Sequence, residues 1–250
     1  MNNDLLHHQQ TLYESKNPTR RWLHCTRRDW IIYAIKKYAN IKDMICMEIG
    51  PGSGVYLPIL AKVSKKVTAL DIEMSYLNNA KILLKKYNNI EIIAADILYN
   101  NIPSATYDLI LCSEVIEHIE DPSKAIKEIY RILKPGGILI LSTPQKFSFM
   151  EMTAKIATIP GIISIVKYIY KESVIDLGHI HLLTQKKLLK IISNIGFEIL
   201  QMHKSGLYLP IIAEIFGRKG LEIERTLENK IVNNNFLNWQ LWTQYYVLKK

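Results

Sequence analysis

Met47-Glu48-Ile49-Gly50-Pro51-Gly52-Ser53-Gly54 decides the fold, because it sits between an apolar run that reads as a strand and one that reads as a helix. Glycines at 50, 52 and 54 allow a sharp turn and let a ligand approach the backbone with no Cβ in the way. The G-x-G-x-x-G spacing of a dinucleotide loop would need glycine at Val55 or Leu57, so NAD and FAD are excluded on spacing, and no Walker A loop is present. Seventeen residues on, Asp71 ends Val67-Thr68-Ala69-Leu70-Asp71, where a carboxylate can accept both hydroxyls of a ribose. Asp96 ends the next such run, Ile93-Ala94-Ala95-Asp96-Ile97. Each acid alone reads as a helix cap or a solvated group. In register at successive strand ends, they read as one site.

Outward from this segment, short β-branched runs alternate with helical patterns, which predicts βαβ units and a mostly parallel sheet. The expected strands are Met44–Ile49, Lys66–Leu70, Ile90–Ala94, Tyr107–Cys112, Gly137–Ser142, Phe197–His203 and Trp239–Leu248. Expected helices include Ser75–Lys86, one opened by Asp121-Pro122-Ser123 and running to Leu133, and Gln185–Asn194 between Thr184 and Gly196. Lys134-Pro135-Gly136-Gly137 reads as the stop that turns the second of these into a strand. Residues 1–40, helical with Trp22, Trp30, Ile31 and Ile35 on an apolar face, and residues 145–178 fall outside the alternation. Both are expected to cover the carboxyl edge of the sheet.

A chain of 250 residues that is 48% hydrophobic and 22% charged, with mean hydropathy +0.02, is globular and needs no staples. Cys25, Cys46 and Cys112 are widely spaced with no CxxC, and read as reduced thiols. The start MNNDLLHHQQ lacks a signal pattern, and no run of about 18 apolar residues occurs, so a cytoplasmic protein without a spanning helix is expected. The net charge of +9 divides as +4 over residues 1–45, −1 over 46–144 and +6 over 145–250. Basic flanks fit an anionic substrate, a membrane surface or nucleic acid, and equally a lysine-rich solvated surface.

Together these segments resemble the class I S-adenosylmethionine-dependent methyltransferases, in particular the small-molecule branch with the ubiquinone and menaquinone methyltransferases. The resemblance rests on E-x-G-x-G-x-G at 48–54, Asp71, A-x-D at 94–96, YDLILCSEVIEHIEDP at 107–122, LKPGGILILSTP at 133–144 and GHIHLLTQKKLLKIISNIGFEI at 178–199. It implies a Rossmann-like, doubly wound α/β sheet of seven strands, mostly parallel with an antiparallel last strand, and helical lid segments. One domain over residues 1–250 is expected: a helical cap (1–40), a cofactor-binding core (41–144), an apolar lid insertion (145–178) and the remaining half of the sheet (179–250). By position, Gly50, Gly52 and Gly54 would pack on the methionine and sugar of S-adenosylmethionine. Asp71 would hold the ribose hydroxyls, with Ile72 against the adenine. Asp96 would accept from the adenine amino group and Ile97 would cover the other ring face. Cys112 and Ser113 would lie beneath the sulfonium, and Glu48 would orient the loop and the cofactor's amino group through water.

The chemistry implied is in-line displacement from an activated methyl, producing S-adenosylhomocysteine and asking of the protein alignment, desolvation and sometimes a base. His118, His179 and His181 are the candidate bases. Glu114-x-x-Glu117-His118 reads as three polar groups on one helical face, and some relatives are thought to hold a divalent metal with this arrangement; structural hydrogen bonding is the plainer reading. The apolar stretches Ile156–Tyr170 and Leu207–Phe216 read as core or as a greasy acceptor channel or membrane contact. The expected acceptor is a small, apolar or lipid-linked molecule. An RNA-directed enzyme using the basic flanks and a non-catalytic cofactor-binding partner protein are the alternatives, and nucleic acid is disfavoured because the Asn/Asp-Pro-Pro-aromatic and Pro-Cys motifs are missing.

Overall fold

The computed structural model describes residues 12–39, 43–157, 180–209, 212–234 and 236–250. The main elements in chain order are α1 (Pro18–Tyr38), β1 (Ile45–Ile49), α2 (Leu57–Val63), β2 (Lys66–Asp71), α3 (Met74–Leu84), β3 (Ile90–Ala94), β4 (Tyr107–Ser113), α4 (Pro122–Ile132), β5 (Leu133–Pro144), α5 (Phe149–Ala157), α6 (Gln185–Ile195), β6 (Glu198–Ser205), α7 (Ile212–Ile231) and β7 (Thr243–Lys249). The strands form one sheet in the order β3-β2-β1-β4-β5-β7-β6. Strands β1 to β5 are parallel, and β7 lies antiparallel between β5 and β6.

The period-2 alternation of strand side chains places a core on each face. Along β4, Leu109 and Leu111 pack with Ile31 and Ile35 of α1, Leu57 and Leu60 of α2 and Leu77 of α3. Ile110 and Cys112 point the other way, to Ile126 and Ile129 of α4 and Leu188 and Ile192 of α6. The sheet is thus doubly wound. Local chemistry sets the helix ends. Asn17 accepts the Arg20 N–H ahead of Pro18, Asp121 accepts the Lys124 N–H ahead of Pro122, and Thr184 accepts the Lys187 N–H. Gly196 closes α6 in a left-handed conformation.

Three expectations are corrected. Lys134-Pro135-Gly136-Gly137 does not separate helix from strand: β5 already begins at Leu133 opposite Tyr107, and the Pro-Gly-Gly stretch is absorbed as a register shift before Leu109 pairs with Ile138. Trp239 belongs to a 3₁₀ turn, Asn238–Gln240, and the last strand starts at Thr243. The apolar stretch at 207–216 is not one unit. Leu207 and Tyr208 are buried, Tyr208 packing with Leu23 and Trp242, whereas Ile212 opens α7, which is kinked at Gly217. Of the apolar run at 156–170, residues 158–170 lie outside the described residues.

Helix α7 is tied to the sheet by carboxylates. Glu228 accepts the backbone N–H groups of Gly206 and Leu207 at 2.9 and 2.7 Å, and Glu224 accepts Leu209 N–H at 2.7 Å and the Thr19 hydroxyl at 2.6 Å. Burial raises the Glu228 pKa, opposed by the two N–H donors. Because buried donors stripped of an acceptor are costly, Glu228→Ala is expected to lower stability by about 1–3 kcal/mol in urea denaturation, and Glu228→Gln to recover part of the loss.

Candidate functional site

Between β1 and β4 the strand order reverses, and in open α/β sheets a ligand crevice forms at the carboxyl ends flanking that point. The loop that leaves β1 there has positive φ at Gly50, Gly52 and Gly54 (66°, 50° and 72°). Gly50 N–H donates to Leu70 C=O at 2.8 Å, and Gly54 N–H to Pro51 C=O at 2.7 Å. A Cβ at Gly50 would come within 2.5 Å of Val115 Cγ2, so the loop sits directly on the segment that follows β4.

Around this loop the register of the strands brings together groups far apart in sequence. Glu48, the penultimate residue of β1, is 2% exposed, and its Oε2 has no hydrogen-bond partner among the described residues. Burial pushes its pKa well above the carboxylate range. Asp71 ends β2 beside Ala94 of β3; its Oδ1 accepts Glu73 N–H at 2.9 Å, and burial, opposed by that bond, raises its pKa to about 6. Ile72 next to it is 67% exposed, an apolar side chain on the rim. Asp96 accepts Leu98 N–H at 2.8 Å in an Asx turn, and Ile97 is buried in the core. Cys112 is fully buried and its thiol pKa is raised by burial; Ser113 instead shares a 2.9 Å hydrogen bond with Ser142.

Helix α1 delivers a residue that sequence reading missed. Arg27 Nη1 meets Glu114 Oε2 at 2.7 Å, Nη2 lies 3.2 Å from His24 Nδ1, and Nε has no partner among the described residues. The signal was present: Leu23, Arg27, Ile31 and Ile35 share one buried stripe at i, i+4, and an arginine on such a stripe needs a reason. Glu114 itself has φ +55°, uncommon for a residue with a Cβ, donates its N–H to Ser142 C=O and accepts the Ser142 hydroxyl at 3.0 Å.

The expected helical face of Glu114, Glu117 and His118 is not formed. Only Ile116–His118 makes a 3₁₀ turn, and the left-handed backbone at Glu114 precedes it. Glu114 bonds Ser142, whereas Glu117 accepts the hydroxyl of Thr143 at 3.0 Å, and adjacent strand residues point to opposite faces. His118 Nε2 lies 4.0 Å from Glu117 Oε1. Among the described residues no three His, Cys, Asp or Glu converge as a metal set. Glu117 is fully buried, its pKa pushed up by burial first and then by the Glu114 carboxylate. Its carbonyl accepts the N–H groups of Ile180 and His181, each at 2.9 Å, which brings exposed His181 to the same edge. His179 lies outside the described residues.

The close approach at Gly50 generates a test. Gly50→Ala adds a methyl where there is no room and forces a left-handed residue, so it is expected to cost about 1–3 kcal/mol of stability in chemical denaturation.

A family profile described as "Methyltransferase domain" matches residues 19–202. A Mycolicibacterium smegmatis protein named as a probable S-adenosylmethionine-dependent methyltransferase is 25% identical over 153 residues, 61% of this chain and 51% of its own. A ubiquinone biosynthesis O-methyltransferase of Colwellia psychrerythraea is 32% identical over 108 residues, 42% of this chain and 43% of its own. The chain thus spans about half the length of the curated relatives it matches. Among solved structures, a SAM-dependent methyltransferase from Aquifex aeolicus superposes with a TM-score of 0.56 at 16% identity, covering 96% of this chain and 97% of that one. The [4+2]-cyclase SpnF superposes at 0.58 and 14% identity, covering 89% and 80%, so the shared fold alone does not fix the reaction. With the profile running from α1 through most of β6 and so taking in the glycine loop, Asp71 and Glu114, the chain belongs to the methyltransferase-domain family.

Proposed function

We propose that this protein transfers a methyl group from S-adenosylmethionine to a small, apolar or lipid-linked acceptor. The single observation that carries the reading is the buried Glu48 carboxyl, its Oε2 without a partner among the described residues, beside the glycine loop at the switch point of the sheet. The residues fit that cofactor. Glu48 lacks a counter-charge that an ammonium would supply, and the glycine loop turns beside it through three left-handed positions. Asp71, at the carboxyl end of β2, would accept the two ribose hydroxyls, with Ile72 as an exposed apolar surface beside it for the base.

S-adenosylmethionine supplies an already activated methyl, so the chain's own residues have three tasks: to hold, to align and to accept a proton. Gly50, Gly52 and Gly54 with Asp71, Asp96 and Ile97 hold. The β4 end at Cys112 and Ser113 sets the floor for alignment, and the Ser113–Ser142 bond fixes that floor. A hydroxyl acceptor would give up its proton to a base of the protein as it takes the methyl. His118, half-exposed and able to pass the proton to water, and exposed His181 are the described candidates, and His179 is the third. An apolar acceptor is supported by the ubiquinone biosynthesis O-methyltransferases among the relatives.

Calorimetry with S-adenosylhomocysteine tests the reading. The product is expected to bind and NAD not to bind, and Asp71→Ala is expected to weaken binding by about 1–3 kcal/mol. The pH dependence has a definite sign. Asp71 in the free protein takes up a proton at about 6, and only the ionised form accepts from two hydroxyls. Affinity is therefore expected to fall as the pH drops through about 6, and Asp71→Asn to remove that step. Tight binding of NAD without the homocysteine product would overturn the assignment.

A further inference from the structure

Helix α7 is built inside out. Its buried row is Gly220, Glu224 and Glu228, one turn apart, and the two carboxylates are spent on backbone N–H groups and on Thr19. The neighbouring outward row carries Ile223 and Leu227, 45% and 37% exposed, and Ile215 and Phe216 stand out before the kink. A surface helix ordinarily does the reverse. Arg218, Lys219, Arg225 and Lys230 are exposed on the same helix against one exposed acid in that span, Glu222.

The placement of α7 matters as much as its faces. Glu228 grips Gly206 and Leu207, which continue from β6, and Ser205 of β6 pairs with Thr243 at the edge where β5 ends at Pro144. That is the carboxyl edge, where the glycine loop opens. The other loops of this half of the edge are also greasy. Phe236, the most exposed large apolar residue described, precedes β7, and Phe147, half exposed with Lys146 Nζ 5.6 Å from its ring centre, follows β5.

We propose that α7 and the adjoining edge dock the protein on an anionic lipid surface, with Ile223 and Leu227 entering the interface and Lys219 and Lys230, which share that face of the helix, meeting lipid phosphates. An outward apolar row flanked by lysines, here Lys219 and Lys230, is the pattern of a helix lying in a bilayer interface. Charge selects this occupant over a second copy. A two-fold pairing would lay the cationic face on itself, whereas an anionic surface neutralises it. No helix among the described residues is long and apolar enough to cross a membrane, so the contact is peripheral. It would present the mouth of the site to the bilayer, which goes beyond the methyl-transfer reading and does not depend on it.

Sedimentation of the full chain with vesicles of phosphatidylcholine mixed with phosphatidylglycerol tests the proposal, with phosphatidylcholine vesicles, an RNA oligomer and sedimentation velocity of the protein alone as the other arms. The wild type is expected to pellet with the mixed vesicles and to stay in solution with phosphatidylcholine alone. I223S/L227S and K219E/K230E are each expected to weaken vesicle binding by about tenfold or more, since one removes apolar burial and the other reverses two charges. Both variants should keep the wild-type circular dichroism and the same affinity for S-adenosylhomocysteine, which separates docking from cofactor binding. The proposal is overturned if the wild type ignores the mixed vesicles or if neither variant changes the binding. It is equally overturned if the α7 substitutions instead abolish self-association or RNA binding.

Discussion

The Arg27–Glu114 ion pair holds this molecule's working end together. It joins the N-terminal helix to the first residue past β4, and it does so with both side chains largely out of water. A buried pair of this kind costs desolvation and returns it only through good geometry. Here the geometry is completed by Ser142, which donates its hydroxyl to Glu114 and receives the Glu114 N–H on its carbonyl. The strained backbone at Glu114 is held by those three contacts. Removing either charge would leave the other stranded out of water without its partner.

Much follows from that clamp. With Arg27 on Glu114 and Thr143 on Glu117, the two acids are drawn to opposite faces of the sheet edge, and each is already engaged by the protein. The segment after β4 is pinned over Gly50 through Val115, so the glycine loop is confined between β2 and that segment. The carbonyl of Glu117 in turn fixes the chain at Ile180 and His181. A single charged contact thus organises loops from three places in the sequence around one crevice.

What could be read from the sequence was what local pattern encodes. The β-branched runs, the Asp-Pro and Thr caps and the glycines of 50–54 each act within a few residues, and the strands and helices they predict stand within a few positions of those expected. Arg27 could not be found that way, because its partner is 87 residues away. The false helical face at Glu114–His118 has the same root. Glutamate seldom takes a left-handed backbone, so nothing in its identity announces that the turn is broken there. Helix α7 escaped because its buried row is glycine and glutamate, which cancels the apolar periodicity on which helix detection depends.

The position of β7 carries a consequence for how the chain assembles. It is the last strand in the sequence yet lies inside the sheet, with β5 on one side and β6 on the other. Among the described residues strand β6 bonds to no strand but β7, so during synthesis it has no such neighbour until residues 243–249 have left the ribosome. The five parallel strands can pair in order as they emerge, while β6 waits without a neighbour. Closure is therefore a late, long-range event, and the half-made sheet passes through a stage with two open edges on which misassembly can begin.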